Sequence, residues 1–499
     1  MGFSKIGFGG YRIEMGFSKV GFGGYRIDER VKEHYDSLTK ALLNGFSLID
    51  TSSNYSDGRS EILIGNVLSD LLSSDNIKRE NITLVTKGGY IQGQNFKFAS
   101  KKKEQGNPFS KVVDISDGLW HCISPDFLED QINRQLFRLN QNDEGGYIDV
   151  YLLHNPEYYL SWASDNHLDK DISQDEYYLR IKKAFEFLEE KVKSGKIHYY
   201  GISSNTFISR SNKYNFTSLE RILEIADKCG YGEHFKFIEM PFNLIESGVL
   251  FEKNQVNDTK TVLELAKEKG INVLINRPLN AITSKGLVRL ADFEFSELTE
   301  DEISNQLQLT LMLEDDLLKE KLANISIPGD DFKILESLLT FGKVFDENWK
   351  LFGSIENFND FIEHYFSPRI DYLVEYFDEH ISDDYSLESF NKYMQEIFNL
   401  INSISKHYKN FANRRNQFFH IIINDICGSK YHNLTLSQKS VLLVNSIDGV
   451  SCTLVGARKE EYVDDVVSTL EYEKIENAGD IFLKIREELA NEDISGTNV

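Results

Sequence analysis

Four titratable residues stand at or just beyond the ends of short apolar runs. Asp50 closes FSLI, Tyr55 lies in the loop DTSSNYSDGRSE beyond it, Lys87 ends ITLVT, and His154 ends VYLL. A charged group at the end of a buried segment is costly unless it is paired or functional. Any one of them alone reads as a paired structural charge; four at equivalent positions point to one shared site. A carboxylate, a phenol, an ammonium and an imidazole gathered together are groups for moving a proton. A free tyrosine, with a pKa of about 10, exchanges protons poorly at neutral pH. A nearby ammonium favours the phenolate, so Lys87 is expected to lower the pKa of Tyr55.

The elements that would gather them are legible as alternating β-rich runs and amphipathic helical stretches. The strand candidates are 19–25, 46–52, 82–88, 148–154, 198–204, 236–242, 271–277 and 451–456. Helical patterns lie between them, such as 178–195, closed by a glycine, and 259–270. Near-continuous apolar runs suit strands buried on both faces. Eight of them with helical crossovers predict an α/β fold, a (β/α)8 TIM-type parallel barrel. In such a barrel the C-terminal strand ends converge on one face, where the four residues would meet. A doubly wound open sheet is the alternative, but Gly21, Gly23 and Gly24 lack the G-x-G-x-x-G spacing expected after its first strand.

Two features interrupt the regular alternation. Residues 1–14 (MGFSKIGFGGYRIE) and 15–28 (MGFSKVGFGGYRID) are a tandem repeat, identical at 12 of 14 positions. Only the second copy leads straight into the helix near 30–44, so only it is expected to serve the fold. The interval between the seventh and eighth strands is far longer than a crossover needs. Residues 281–436 hold 14 Lys+Arg and 27 Asp+Glu, a net of -13. Phe358, Phe361, Ile362, Tyr365 and Phe366 recur there at helical spacing, as do Phe390, Tyr393, Met394, Ile397 and Phe398. These stripes read as core packing. The division expected is a duplicated segment (1–14), the first part of the barrel (15–280), an acidic, mainly helical insertion (281–436), and the last strand with C-terminal helices (437–499). An insertion that follows a strand is expected to emerge at the active-site face.

The same residues carry a family resemblance. FSLIDTSSNYSDGRSEILIG resembles the aldo-keto reductase signature around its Asp and Tyr, LVTKGGY the motif around its Lys, and IDVYLLHNPE that around its His. YGISSN, FIEMPFN, INRPLNA and LVGARKEE resemble, in the family's order, its cofactor-binding segments. The resemblance implies a barrel that binds NADP(H) or, less often, NAD(H), and moves a hydride between nicotinamide and a carbonyl or alcohol carbon. Tyr55 would give or take the proton, Lys87 tune it, Asp50 orient Lys87, and His154 hydrogen-bond the carbonyl oxygen. Cofactor contacts would come from Gly24, Ser203, Ser204, Glu239, Phe242, Pro278, Leu279, Gly456, Arg458 and Lys459, with Ser203 and Ser204 at the carboxamide and Phe242 stacked on the nicotinamide. Arg458 and Lys459 suit a 2′-phosphate and favour NADP(H), a preference diluted by Glu460 and Glu461. Glu239 stands where the family has Gln, and Val466 where it often has Asn. A carboxylate near the ring would favour the cationic, oxidised cofactor. The other reading is that Glu239 is protonated, or turned toward a cation, and mimics Gln.

Composition narrows the partners. The 499 residues are 41% hydrophobic and 12% aromatic, with a formal net charge of -24. A surface this acidic repels phosphate backbones and anionic lipid, so neither nucleic acid nor membrane is expected as a partner. Cys122, Cys229, Cys427 and Cys452 are scattered without the spacing of a disulfide framework or zinc site. With neither a signal peptide nor a membrane span in view, a cytoplasmic protein acting on a small carbonyl compound or sugar is expected, with no metal. His121, in WHCISP, reads as a loop residue before a helix capped by Ser124, with Pro125 in its first turn. A competing reading keeps the cofactor-binding barrel but makes it a regulatory or interaction module that meets a protein partner through the acidic insertion.

Overall fold

The computed structural model of the chain describes residues 16–492 apart from 142–144, 229, 231, 285, 325 and 326. The first repeat and Cys229 therefore lie outside the described residues. Eight parallel strands form a closed barrel: β1 (Val20–Gly23), β2 (Leu48–Asp50), β3 (Thr83–Gly88), β4 (Ile148–His154), β5 (Ile197–Ser203), β6 (Phe235–Pro241), β7 (Asn272–Asn276) and β8 (Cys452–Val455). Each pairs with its neighbours in sequence, and β8 closes the ring between β7 and β1. This is the predicted barrel, and β1 is built from the second repeat.

The local sequence explains the elements. Every residue of β3 and β4 is buried, as two-faced burial demands of a parallel strand. Leu48, Val85, Val150, Leu152, Phe237, Leu274, Cys452 and Leu454 form one cluster inside the barrel, and Phe17 packs against it. The helix Val262–Lys269 starts at a capping box formed by Thr261 and Glu264, and stops at Gly270, whose φ of 66° is left-handed. Asp169 caps Lys170–Lys193 by accepting from the N–H of Ile172.

The described residues divide into two compact units, one of 16–279 and 437–487, the other of 280–436 with the residues from 488 on. In the second unit a hairpin (Asn280–Thr283 and Gly286–Arg289) precedes a run of helices that ends in one of 44 residues, Asp384–Cys427. Its core gathers Phe345, Phe358, Phe366, Phe377, Phe390, Tyr393, Met394 and Ile397 among others. Two residues of the expected stripes do otherwise: Tyr365 and Phe398 are 38% and 54% exposed. Their helices turn these positions off the buried arc, which a count of apolar spacing does not resolve. Among the described residues no helix is long and apolar enough to cross a membrane. Cys122, Cys427 and Cys452 are free thiols.

Candidate active site

Asp50, Lys87 and His154 are the last or nearly last residues of β2, β3 and β4, so the parallel barrel delivers them to one end. Tyr55 opens the turn Tyr55–Gly58 that follows β2. In this turn Ser56 and Asp57 hold left-handed φ values of 47° and 56°, uncommon for residues with a Cβ. The loop after β3 holds them there: Asp57 Oδ1 accepts from the N–H of Gln94 at 2.8 Å, and a Cβ on Gly93 would strike the same carboxylate. Strained backbone of this kind persists only where its surroundings over-determine it.

The centre of the cluster is Lys87, fully buried. Its Nζ donates to both oxygens of Asp50 at 2.5 Å, to the carbonyl of Thr51 at 3.3 Å and to the Tyr55 hydroxyl at 3.3 Å. A second carboxylate, Glu239 on β6, has its Oε2 3.3 Å from the same Nζ. Glu239 Oε1 accepts from Asn276 at 2.8 Å and from Ser203 at 3.1 Å. Glu239 is therefore turned toward a cation.

The electrostatics follow from one buried ammonium between two carboxylates. Burial pulls Lys87 down, but Asp50, Glu239 and Tyr55 outweigh it and hold the ammonium above its ordinary range. Burial pushes Asp50 well up, and Glu239 adds to this against the pull of Lys87. Tyr55 moves opposite to the sequence expectation: burial raises its pKa above the ordinary value, and Asp50 and Glu239 reinforce the rise against Lys87. The expectation counted the ammonium and left out desolvation and the second carboxylate.

His154 is held on several sides. Its Nδ1 lies 3.0 Å from Ser52 Oγ, and its ring meets Tyr55 and Tyr90 edge-on, with centroids at 5.9 and 4.7 Å. Burial first, then Lys87 and His121, keep its pKa well below the ordinary value, so the ring is neutral. His121 corrects the sequence reading. It ends a short strand, Leu119–His121, is buried, and donates from Nε2 to the carbonyl of His154 at 2.8 Å. Burial lowers its pKa to about 4, so it too is neutral. The strand belongs to a three-stranded sheet inside what reads as a loop, made by pairings that short runs do not advertise. Ser124 does precede the helix Pro125–Arg138, but its side chain makes no capping bond and is engaged with Asp126 and Cys122.

The residues expected to hold the cofactor fall into two groups. Ser203, Ser204 and Glu239 are buried toward the C-terminal ends of β5 and β6; both serines bond Glu239, which stands next to Lys87. Gly456, Arg458 and Lys459 are exposed just after β8, ahead of the helix Glu460–Val467. Pro278 and Leu279 are buried after β7. Arg277 before them takes a left-handed φ of 53° and is ion-paired to Glu246 at 2.6 Å. One correction concerns a ligand-facing role. Phe242 has no exposed surface and packs on Phe482, with centroids at 4.6 Å, so its ring offers no open face for stacking. Its partner lies far along the chain, which local motif reading does not see. Gly24 is buried against Asp50 and Ser60, where a Cβ would approach both at 2.8 Å, so its smallness serves close packing. Val466 is a core residue.

Sequence reasoning missed Glu157, which is buried and accepts from the N–H of Asn205 at 2.8 Å. Burial raises its carboxyl to about 7, against hydrogen bonds from its own backbone, Asn205 and Ser204.

The family model described as Aldo/keto reductase family matches residues 7–314. Among curated proteins, the NADH-specific methylglyoxal reductase of Escherichia coli (strain K12) is 29% identical over 119 residues. That match covers 24% of this chain and 30% of that protein's own length. Among solved structures, an aldo/keto reductase from Klebsiella pneumoniae in complex with NADP and acetate aligns over 94% of this chain and 92% of its own, at 13% identity and a TM-score of 0.43. The glycerol dehydrogenase from Gluconobacter oxydans aligns over 96% of this chain and 93% of its own, at 16% identity and a TM-score of 0.45.

Proposed function

The chain belongs to the aldo/keto reductase family, and from that premise we propose that it interconverts a carbonyl and an alcohol on a small aldehyde, ketone or aldose, with Tyr55 as proton donor and acceptor. The observation that carries this reading is the buried Lys87 Nζ in contact with both the Tyr55 hydroxyl and Asp50 at the C-terminal face of a closed barrel. When bound, a nicotinamide cofactor supplies or accepts the hydride.

The residues present suit such a cofactor. Asn276 Oδ1 is buried without a hydrogen-bond partner among the described residues, and Glu239 Oε2 meets Lys87 outside hydrogen-bonding alignment. Buried polar atoms left this way call for a partner, and a carboxamide has donors to offer them. Ser203 and Ser204 stand beside them. Arg458 and Lys459 would hold a 2′-phosphate, so NADP(H) is the favoured form and NAD(H) the alternative.

In reduction, Tyr55 gives its hydroxyl proton to the carbonyl oxygen as the carbon gains hydride, and Lys87 stabilises the phenolate left behind. Asp50 keeps Lys87 charged and aimed. In oxidation the phenolate takes the alcohol proton back. His154, neutral, hydrogen-bonds the substrate oxygen from Nε2 when its Nδ1 accepts from Ser52, and the Tyr55 and Tyr90 rings pack edge-on against its imidazole. The three free thiols and the acidic composition support a cytoplasmic setting and a small-molecule substrate.

Tyr55→Phe, assayed with a panel of aldehydes and sugars in both directions, tests this. Turnover is expected to fall by at least about a hundredfold, with the cofactor dissociation constant nearly unchanged. Near-normal kcat would sink the assignment. The separate unit of 280–436, with its own core, favours a second reading, a regulatory barrel with a protein partner. Intact cofactor binding with no turnover on any panel member would favour that instead.

A further inference from the structure

We propose that Glu239 acts as a second counter-ion of Lys87 and makes the site prefer the oxidised, cationic nicotinamide over the reduced, neutral one. The inference rests on the cofactor-binding function proposed above and concerns which redox form is held more tightly.

The site holds more carboxylate than it can neutralise. Asp50 takes both short hydrogen bonds from Lys87, and Glu239 stands 3.3 Å from the same ammonium. Both carboxylates are buried, 3% and 1% exposed, so neither is screened by water. Among the described residues no other cation touches the pair; Glu239 also meets the Asp50 carboxyl itself, the neutral amide of Asn276 and the hydroxyl of Ser203. Lys87 balances one carboxylate. The negative charge left over in the buried pair favours an arriving cation.

The nicotinamide must come within reach of this charge. Tyr55 serves the oxygen of the carbonyl whose carbon exchanges the hydride. In a reactive complex the ring carbon would have to reach contact distance of that carbon while the Tyr55 hydroxyl reaches hydrogen-bond distance of that oxygen. Lys87 Nζ touches both the Tyr55 hydroxyl and Glu239, each at 3.3 Å. The oxidised ring carries a positive charge and the reduced ring none, so a fixed carboxylate at this range separates their affinities.

The experiment measures dissociation constants of NADP+ and NADPH, and of NAD+ and NADH, by fluorescence titration of the full chain without substrate. Three variants accompany the wild type: Glu239→Gln, Asp50→Asn and Ser203→Ala. Glu239→Gln keeps the size of the side chain and its acceptor for Asn276. It is expected to weaken the oxidised form relative to the reduced form on the order of tenfold. Asp50→Asn is expected to move the ratio in the same direction, which keeps the test open if the first variant does not fold. Ser203→Ala removes a hydrogen bond to the same oxygen without changing charge, and should leave the ratio where it is. An unchanged ratio in the charge variants, or an equal shift in Ser203→Ala, would overturn the proposal. A wild type that binds neither form would instead overturn the function on which it rests.

Discussion

At the scale of residues, one hydroxyl proton decides what His154 can do. Ser52 Oγ lies 2.6 Å from Asn54 Oδ1 and 3.0 Å from His154 Nδ1, and its single proton serves only one of them. Donated to Nδ1, it leaves the proton of the neutral ring on Nε2, ready for a substrate oxygen; donated to Asn54, it leaves Nε2 bare. Ser52→Ala removes the control. It is expected to lower kcat for reduction about tenfold, the worth of one hydrogen bond of roughly 1.4 kcal/mol, with KM little changed. A change confined to KM would refute the role. Tyr55 carries a pH prediction. Its pKa is raised, so the hydroxyl required for reduction persists past the ordinary tyrosine value of about 10. Reduction should hold its rate through that pH, whereas oxidation, which needs the phenolate, should keep rising with pH. A reduction rate that falls from neutral pH upward would contradict the arrangement.

At the scale of elements, the catalytic end of β3 is fixed by a buried network behind it. Glu61, on the helix Arg59–Ser73, accepts from Thr86 at 2.6 Å, from Gln135 at 2.7 Å and from Arg138 at 2.6 Å. Gln135 also donates to the carbonyl of Lys87 at 3.0 Å and accepts from Tyr151 at 3.0 Å. Two helices are thereby tied to the strand that presents the lysine. Breaking a buried pair strands a charge, so Arg138→Ala is expected to cost about 3–5 kcal/mol in denaturant melts; a loss under about 1 kcal/mol would class the pair with surface ion pairs. All eight strands were legible, because two-faced burial writes itself into runs such as ITLVT and VYLL. Illegible were the features set by distant partners. These include the sheet that holds His121, the packing of Phe242 on Phe482, the meeting of Glu239 with Lys87, and the burial that, first among its causes, reversed the expected direction for Tyr55.

At the scale of the whole molecule, the residues proposed for chemistry and cofactor binding all fall in the unit of 16–279 and 437–487. Joining Leu279 to Ser437 through a short flexible linker should therefore give a barrel that binds cofactor within about threefold of the full chain. Its substrate preference should shift, because the segments after barrel strands set specificity in this architecture. Loss of cofactor binding in a folded, deleted protein would show that residues of 280–436 take part in the site. The position of that segment between the seventh and eighth strands could be read from spacing and charge, but what it recognises could not. Many of its aromatic residues are spent on its own core, and spacing alone does not name a ligand.

The long interval before β8 also governs how the protein is made. β8 pairs with both β1 and β7, so until Cys452–Val455 leave the ribosome those two strands have unpaired edges. At the usual pace of synthesis the interval from Asn276 to Cys452 lasts roughly 10–35 s. Through that time the nascent barrel is an open sheet, the form most prone to pairing with another chain. The segment synthesised meanwhile has a net charge of -13 over 281–436. Like-charged nascent chains repel one another, and a net charge of this sign opposes edge-to-edge association during that interval.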